Sequence, residues 1–135
     1  MRPGRTAALH ATTDRADVST MTNSEVTLPH NVFIGEFEQL VLLTVLQEGN
    51  RAHALGVRAR MAEVAGRRIA RGALYRTLER LEEKGYVRWK VEAGGPERGG
   101  HARRLFTVTA RGIAALRSSR RALLEMWTGL EDVLS

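Results

Sequence analysis

Hydrophobic positions first recur with a helical period after residue 30. From Gly35 onward, Glu36-Phe37-Glu38-Gln39-Leu40-Val41-Leu42-Leu43-Thr44-Val45-Leu46-Gln47-Glu48 places Phe37, Leu40, Val41, Thr44 and Val45 on one face of a helix. Acidic residues at its start suit the helix dipole, and Gly49-Asn50 ends it. A second helix is predicted from about His53 to Ala65. Its apolar face carries Leu55, Ala59 and Ala62, Arg58 and Arg60 point towards solvent, and Gly66 stops it. Residues 67–70 read as a short extended link.

The third periodic segment, Arg71-Gly72-Ala73-Leu74-Tyr75-Arg76-Thr77-Leu78-Glu79-Arg80-Leu81-Glu82-Glu83-Lys84, is the most informative. Leu74, Leu78 and Leu81, at i, i+4 and i+7, define a narrow buried stripe, and Gly85 terminates the helix. Arg71 and Arg76 lie in its first two turns, whereas Glu79, Glu82 and Glu83 lie in its last two. Only the N-terminal half can approach a phosphate backbone without repulsion. A recognition helix that enters a groove by its N-terminal end has this polarity. The alternative is an amphipathic surface helix laced with i,i+3 and i,i+4 ion pairs.

After Gly85 the period changes to two. Tyr86-Val87-Arg88-Trp89-Lys90-Val91-Glu92 puts Val87, Trp89 and Val91 on one side and Arg88 and Lys90 on the other, which is a half-buried strand. Residues 93–102, with four Gly and one Pro, form a loop. Arg104-Leu105-Phe106-Thr107-Val108-Thr109 returns as a second strand with Phe106 and Val108 inward. A helix followed by a hairpin with Arg98, His101, Arg103 and Arg104 at or near its tip is the outline of a winged helix. In that arrangement the helix offers side chains to base edges and the wing lies along the backbone or minor groove.

Residues 110–134 are predicted as one helix, N-capped by Thr109. Ile113, Leu116, Leu123, Trp127, Leu130 and Leu134 fall at heptad a and d positions, and Arg120 occupies the remaining a position. Such a helix would span about 36 Å, longer than a small winged domain covers, so its apolar face should be buried largely against a second chain. Packing on the first helix of the same chain is the alternative. Arg120 in the seam would fix register or pair with Glu125 or Glu131 across it. The expected organisation is a disordered tail over residues 1–30, a winged-helix DNA-binding domain over 31–109 and a dimerisation helix over 110–135. The fold class is mainly α with a small β-hairpin wing.

Composition agrees with that layout. The chain has 135 residues, room for one domain plus an extension. Lys plus Arg number 21 against 15 Asp plus Glu, and 19 of the 21 are Arg. Arg offers a planar fork that pairs two-pronged with phosphate or guanine, which points to nucleic acid; codon bias in a GC-rich genome would produce the same excess. The absence of Cys removes thiol nucleophiles, Cys-ligated zinc and disulfides. With no apolar run near ~18 residues and no secretory h-region, the expected address is the cytoplasm, with no membrane partner. In residues 1–29, which lack any period, Arg2, Arg5 and Arg15 cancel Asp14, Asp17 and Glu25. Met21 is an alternative translation start, a reading that recovery of Met1 or Arg2 by N-terminal sequencing of the native protein would refute.

Catalytic patterns are not found. His10, His30, His53 and His101 are scattered, with no HExxH and no carboxylate at metal spacing. No GxSxG, Walker loop or GxGxxG follows a strand, and Gly94-Gly95 and Gly99-Gly100 sit in the hairpin. No enzyme activity, metal or cofactor is expected. The competing class is a winged-helix protein-interaction module without specific DNA binding, since fold alone does not assign function. It would leave the Arg residues of the third helix and wing without a task.

The motifs over roughly residues 34–133 resemble the PadR-like family of winged-helix transcriptional regulators. The resemblance rests on Gly35-Glu36-Phe37-Glu38 before the first helix and Gly72-Ala73-Leu74-Tyr75 opening the third. It also rests on Leu78-Glu79-Arg80-Leu81-Glu82-Glu83-Lys84-Gly85 closing that helix, the Pro96-Glu97-Arg98-Gly99-Gly100 tip, and Arg103-Arg104 leading to Thr107-Val108-Thr109 and Gly112. A lone C-terminal helix is similar to the short branch of that family. The resemblance implies a homodimeric repressor or ligand-responsive regulator of a pseudo-palindromic double-stranded DNA operator, with half-sites about 10 base pairs apart. It also implies a dimer-interface pocket for a planar hydrophobic or aromatic effector, on which Trp127 would stack; a Trp that simply packs in the interface is the alternative.

Carried onto this chain, Arg71, Gly72, Ala73 and Arg76 face base edges or phosphates, and Tyr75 reaches a phosphate or packs its ring. Arg98, His101, Arg103 and Arg104 hold the backbone or minor groove. Three departures stand out. His53-Ala54 replaces the Tyr-Gly pair that opens the family's second helix, and Ile69-Ala70-Arg71 lacks the usual Ser or Thr N-cap, a loss of about 1 kcal/mol. His101 stands where Arg or Lys is expected, so DNA affinity should fall mildly between pH 6 and pH 8, as an anisotropy titration with His101→Ala as control would register.

Overall fold

Leu74, Leu78 and Leu81 are all buried, as their spacing predicts, and the other elements pack around them. Each such burial contributes roughly 1.5–3 kcal/mol. The computed structural model describes residues 32–135, apart from the side chain of Arg98. The expected tail, residues 1–30, and the alternative start at Met21 lie outside the described residues. The elements run α1 (Glu36–Gln47), α2 (Ala54–Ala65), α3 (Arg71–Glu83), β1 (Val87–Glu92), β2 (Arg103–Val108), α4 (Ala110–Trp127) and α5 (Glu131–Leu134), with a 3-10 turn at Pro96–Arg98 between the strands. This is a winged helix-turn-helix followed by a C-terminal helix.

The buried face of α1 is rotated from the expected one. Val41, Leu42 and Val45 are fully buried, while Phe37 and Leu40 are half-buried at its edge. Glu38 is buried too, because the Lys84 ammonium donates to both its carboxylate oxygens at 3.0 and 2.9 Å, with Arg80 at 3.8 Å. One carboxylate thus clamps the start of α1 to the end of α3.

In α2 the expected face is wrong by about one residue, or 100° around the axis. Ala54, Val57 and Met61 are buried, whereas Leu55 is 67% exposed and Ala59 and Ala62 face solvent. The cause lies just upstream. Ala52 exchanges two backbone hydrogen bonds with Phe106 (3.1 and 2.7 Å), a rudimentary third strand that sets the angle at which α2 begins. Arg58 and Arg60 also differ from expectation. The Arg58 guanidinium donates to the Ile69 carbonyl at 3.0 Å, and that of Arg60 donates to Gln47 at 3.1 Å.

Asn50, read as a helix stop, does more. It sits at φ 60° and is buried; its side-chain amide donates to the Val108 carbonyl (3.2 Å) and accepts from the Val108 amide (2.8 Å). Asn tolerates this left-handed conformation better than most residues. One side chain therefore extends the sheet edge where the backbone has turned away.

The hairpin register runs from Val87↔Val108 to Glu92↔Arg103. Val87, Phe106 and Val108 face the core as expected, but Val91 is 61% exposed because the hairpin projects past the helices towards its tip. Leu105, on the opposite face, is unexpectedly buried.

Thr109 caps α4: its hydroxyl accepts from the Gly112 amide at 3.1 Å and donates to the Gly85 carbonyl at 2.6 Å. The helix ends at Trp127, and Thr128 is extended while Gly129 is left-handed at φ 86°. The single helix expected over residues 110–134 is therefore two, and Leu130 and Leu134 leave the heptad repeat of α4. Its length is about 27 Å. The start of the stripe folds back on its own chain. Ala115 and Leu116 are buried and Ile113 packs against the core. The Ser119 hydroxyl accepts from the Ile34 amide at 3.0 Å, and that of Ser118 donates to the Val32 carbonyl at 2.6 Å. Beyond Ser119 the apolar side chains Leu123, Leu124, Met126 and Trp127 are exposed. Among the described residues no helix is long and apolar enough to cross a membrane.

Candidate nucleic-acid interface

The N-terminal end of α3 is open. Ala70 stands at its N-cap and supplies no side-chain hydrogen bond, so the first backbone N–H groups point outward unpaired by a cap and the positive end of the helix dipole faces solvent. Arg71, Gly72 and Arg76 are exposed, with Ala73 and Tyr75 half-buried. A β-carbon on Gly72 would lie 3.4 Å from an Arg76 Nη, an ordinary contact that places this guanidinium along the first turn.

Charge is sorted along this helix by its partners. Arg80 and Lys84, in the C-terminal half, are drawn to Glu38. Among the described residues, neither Arg71 nor Arg76 has a hydrogen bond or ion pair from its side chain, and exposed Arg68 just upstream shares that freedom. Arg68 was not singled out by periodicity, since it sits in the link before the helix. Glu79, Glu82 and Glu83 are exposed on the last two turns, as expected.

The hairpin brings a second group of cations forward. The Arg104 guanidinium lies over the Trp89 ring, 4.3 Å from its centre, a cation–π contact. Arg103 donates to Glu92 at 3.3 Å, and His53 Nε2 approaches the same carboxylate oxygen at 2.7 Å. The carboxyl of Glu92 is held below its ordinary 4.5 chiefly by the His53 hydrogen bond, which outweighs the opposing desolvation, with a lesser lowering from Arg103. His53, the departure noted at the start of α2, therefore ties that helix to the wing. Arg103 shares its charge with Glu92. His101 is exposed in the loop, and a β-carbon on Gly94 would fall 2.3 Å from the His101 carbonyl, so the base of the loop closes tightly. The Arg98 side chain lies outside the described residues.

The expected interface and effector residues gather elsewhere. Leu43, Leu46, Ile113, Leu116, Leu123, Leu124 and Trp127, with Gln39, Arg117 and Arg120, line an apolar groove of about 490 Å³ between α1 and α4. Trp127 is 52% exposed at its end. Leu130 and Leu134 are exposed beyond the break. Gln39, Leu43 and Leu46, which α1 supplies as the other wall, and Arg117 and Leu124, off the heptad positions of α4, are additions to the expected set.

The family model of the transcriptional regulator PadR-like family matches residues 42–118, more than half of the chain. The chain belongs to this family. Solved structures agree on the fold. A PadR family transcriptional regulator from Eggerthella lenta is similar with a TM-score of 0.58 at 24% identity, over 74% of this chain and 87% of that one. A PadR-like transcriptional regulator from Bacillus cereus gives 0.60 at 16% identity, over 73% and 91%. Bacillus subtilis PadR, solved in complex with operator DNA, gives 0.52 at 17% identity, over 60% of this chain and 45% of that one. No curated protein matches the chain. This PadR-like chain is placed among transcriptional regulators rather than enzymes by its family.

Proposed function

We propose that this PadR-like chain is a homodimeric, sequence-specific DNA-binding repressor. The observation that carries the reading is the pair of unengaged guanidiniums, Arg71 and Arg76, at the open end of α3, beside a hairpin that presents Arg104 and Arg103. Arg71, Gly72, Ala73 and Arg76 face base edges, Tyr75 donates its hydroxyl to a phosphate, and Arg98, His101, Arg103 and Arg104 follow the backbone or minor groove. A bidentate Arg contact to guanine is worth about 1–3 kcal/mol of discrimination.

The dimer reading is supported by the apolar surface that α4 leaves uncovered. Leu123 and Trp127 end an otherwise buried stripe, and the groove beside them has walls with almost no polar surface. A second copy related by two-fold symmetry covers such a surface, with Ile113 and Leu116 lining its inner edge, Arg120 at its rim, and Leu130 and Leu134 closing over it. Within the same groove Trp127 offers a face on which a planar aromatic effector stacks.

The test is fluorescence anisotropy against the DNA immediately upstream of the protein's own gene and a scrambled control. Tight binding to the first, a large loss on scrambling and a further loss with Arg76→Ala are expected. Full retention of every activity in Arg76→Ala and Arg98→Ala would favour a protein-interaction module instead.

A further inference from the structure

The outer face of the hairpin carries cations that neither α3 nor the wing tip uses. Val87, Trp89, Phe106 and Val108 turn towards the core, so strand alternation sends Arg88, Lys90, Leu105 and Thr107 to the other side. Ala52, bridged to Phe106, brings its neighbour Arg51 onto that same outer side. These residues surround a concavity of about 360 Å³. Leu105, only 4% exposed, forms its floor beneath the apolar stems of the cations.

Glu92, the acid on this face, is already engaged by His53 and Arg103. Arg60, Arg67, Arg80, Lys84 and Arg103 each reach a carboxylate. Among the described residues, the charged groups of Arg51, Arg88 and Lys90 have no hydrogen bond or ion pair, and no acidic side chain lines the concavity. Guanidiniums and an ammonium only donate, and the Thr107 hydroxyl can donate beside them. The complement is a ligand that only accepts and carries negative charge, which describes phosphate. Small-molecule pockets are enclosed and mostly apolar, whereas this concavity is half-open with a cationic rim. That shape suits a phosphate backbone passing across it. These side chains stand on the hairpin whose far end carries Arg103 and Arg104, so one backbone held by those residues can continue onto this face.

We propose that Arg51, Arg88 and Lys90 form a second phosphate-binding surface that holds the DNA backbone flanking the half-site engaged by α3 and the wing tip. This inference rests on the DNA-binding reading above.

The test measures the salt dependence of binding of the full chain to a 40-base-pair duplex of random sequence. Each lost phosphate contact lowers the slope of log affinity against log salt by about 0.9. The variant Arg51→Gln/Arg88→Gln/Lys90→Gln should lose roughly 2 to 3 from the slope. Arg121→Gln, an exposed charge on α4, should leave it unchanged. Arg88→Gln alone, with an unaltered thermal melt, guards against a folding defect and should lose about 0.9. A triple variant with the wild-type slope, or an Arg121→Gln loss equal to that of Arg88→Gln, would overturn the proposal while leaving the DNA-binding reading intact. Wild-type protein that fails to bind the duplex at low salt would overturn both.

Discussion

Helices α3 and α4 carry apolar stripes of similar regularity, yet they meet different ends. In α3 the stripe of Leu74, Leu78 and Leu81 is buried throughout by the rest of the chain, while Arg71, at the helix start, and Arg76, on the opposite face, are exposed. In α4 burial stops at Ser119, and Leu123, Leu124 and Trp127 continue into solvent. Periodicity states that a face will be covered; it does not state by what. In the proposed reading the covered helix is a rigid platform for side chains that meet DNA, and the half-covered one is the surface offered to a second copy.

That contrast can be broken by substitution. The largest effect on stability is expected from Leu78→Ala, which removes a fully buried side chain from the centre of α3 and should cost about 2–5 kcal/mol, measured by urea denaturation. Leu124→Asp in α4 should leave the fold of each chain intact, because Leu124 is already 52% exposed, and should convert a dimer into a monomer by sedimentation equilibrium. Unchanged self-association would remove α4 from the interface. Arg76→Ala should cost about 1–3 kcal/mol in discrimination between upstream and scrambled DNA, with a thermal melt close to wild type because the side chain has no partner within the chain. Asn50→Ala, which strips both hydrogen bonds from Val108, should cost about 1–3 kcal/mol.

The smallest effect concerns Glu92 and sharpens the account of the wing. Its carboxyl titrates below the ordinary 4.5 because His53 and Arg103 stabilise the ionised form. A depressed carboxylate adds stability that is present above its unfolded-state value and lost as pH falls through the folded one. The difference in melting temperature between wild type and Glu92→Gln should therefore be steady well above 4.5 and shrink as pH falls below it. A difference that grows on acidification would contradict this assignment.

Local patterns made much of this molecule legible. The leucines of α3, the alternation of β1 as far as Trp89 and the Thr109 cap depend on residues a few positions apart, and each appears where the sequence predicts it. What could not be read depends on partners distant in the chain. Glu38 meets Lys84 across 46 positions, Asn50 meets Val108 across 58, and His53 meets Glu92 across 39. In α2 the apolar residues Leu55, Val57 and Met61 fall on different faces, and the bridge at Ala52 sets the start of the helix so that Val57 and Met61 turn inward. The break after Trp127 was carried by Thr128-Gly129, a local stop signal masked by the heptad spacing of Leu130 and Leu134. In the site itself, Arg71 and Arg76 were visible as a charge gradient, but the freedom of Arg51, Arg88 and Lys90 emerges only after the acids have been matched to other cations.

The central claim is that two copies, joined through α4, place two α3 helices on one duplex. Hydroxyl-radical footprinting on the DNA upstream of the gene tests it most directly. Two protected patches related by symmetry and separated by about one helical turn, or 10 base pairs, are expected, both lost in Arg71→Ala/Arg76→Ala. A single protected patch, or patches that survive that double substitution, would contradict it.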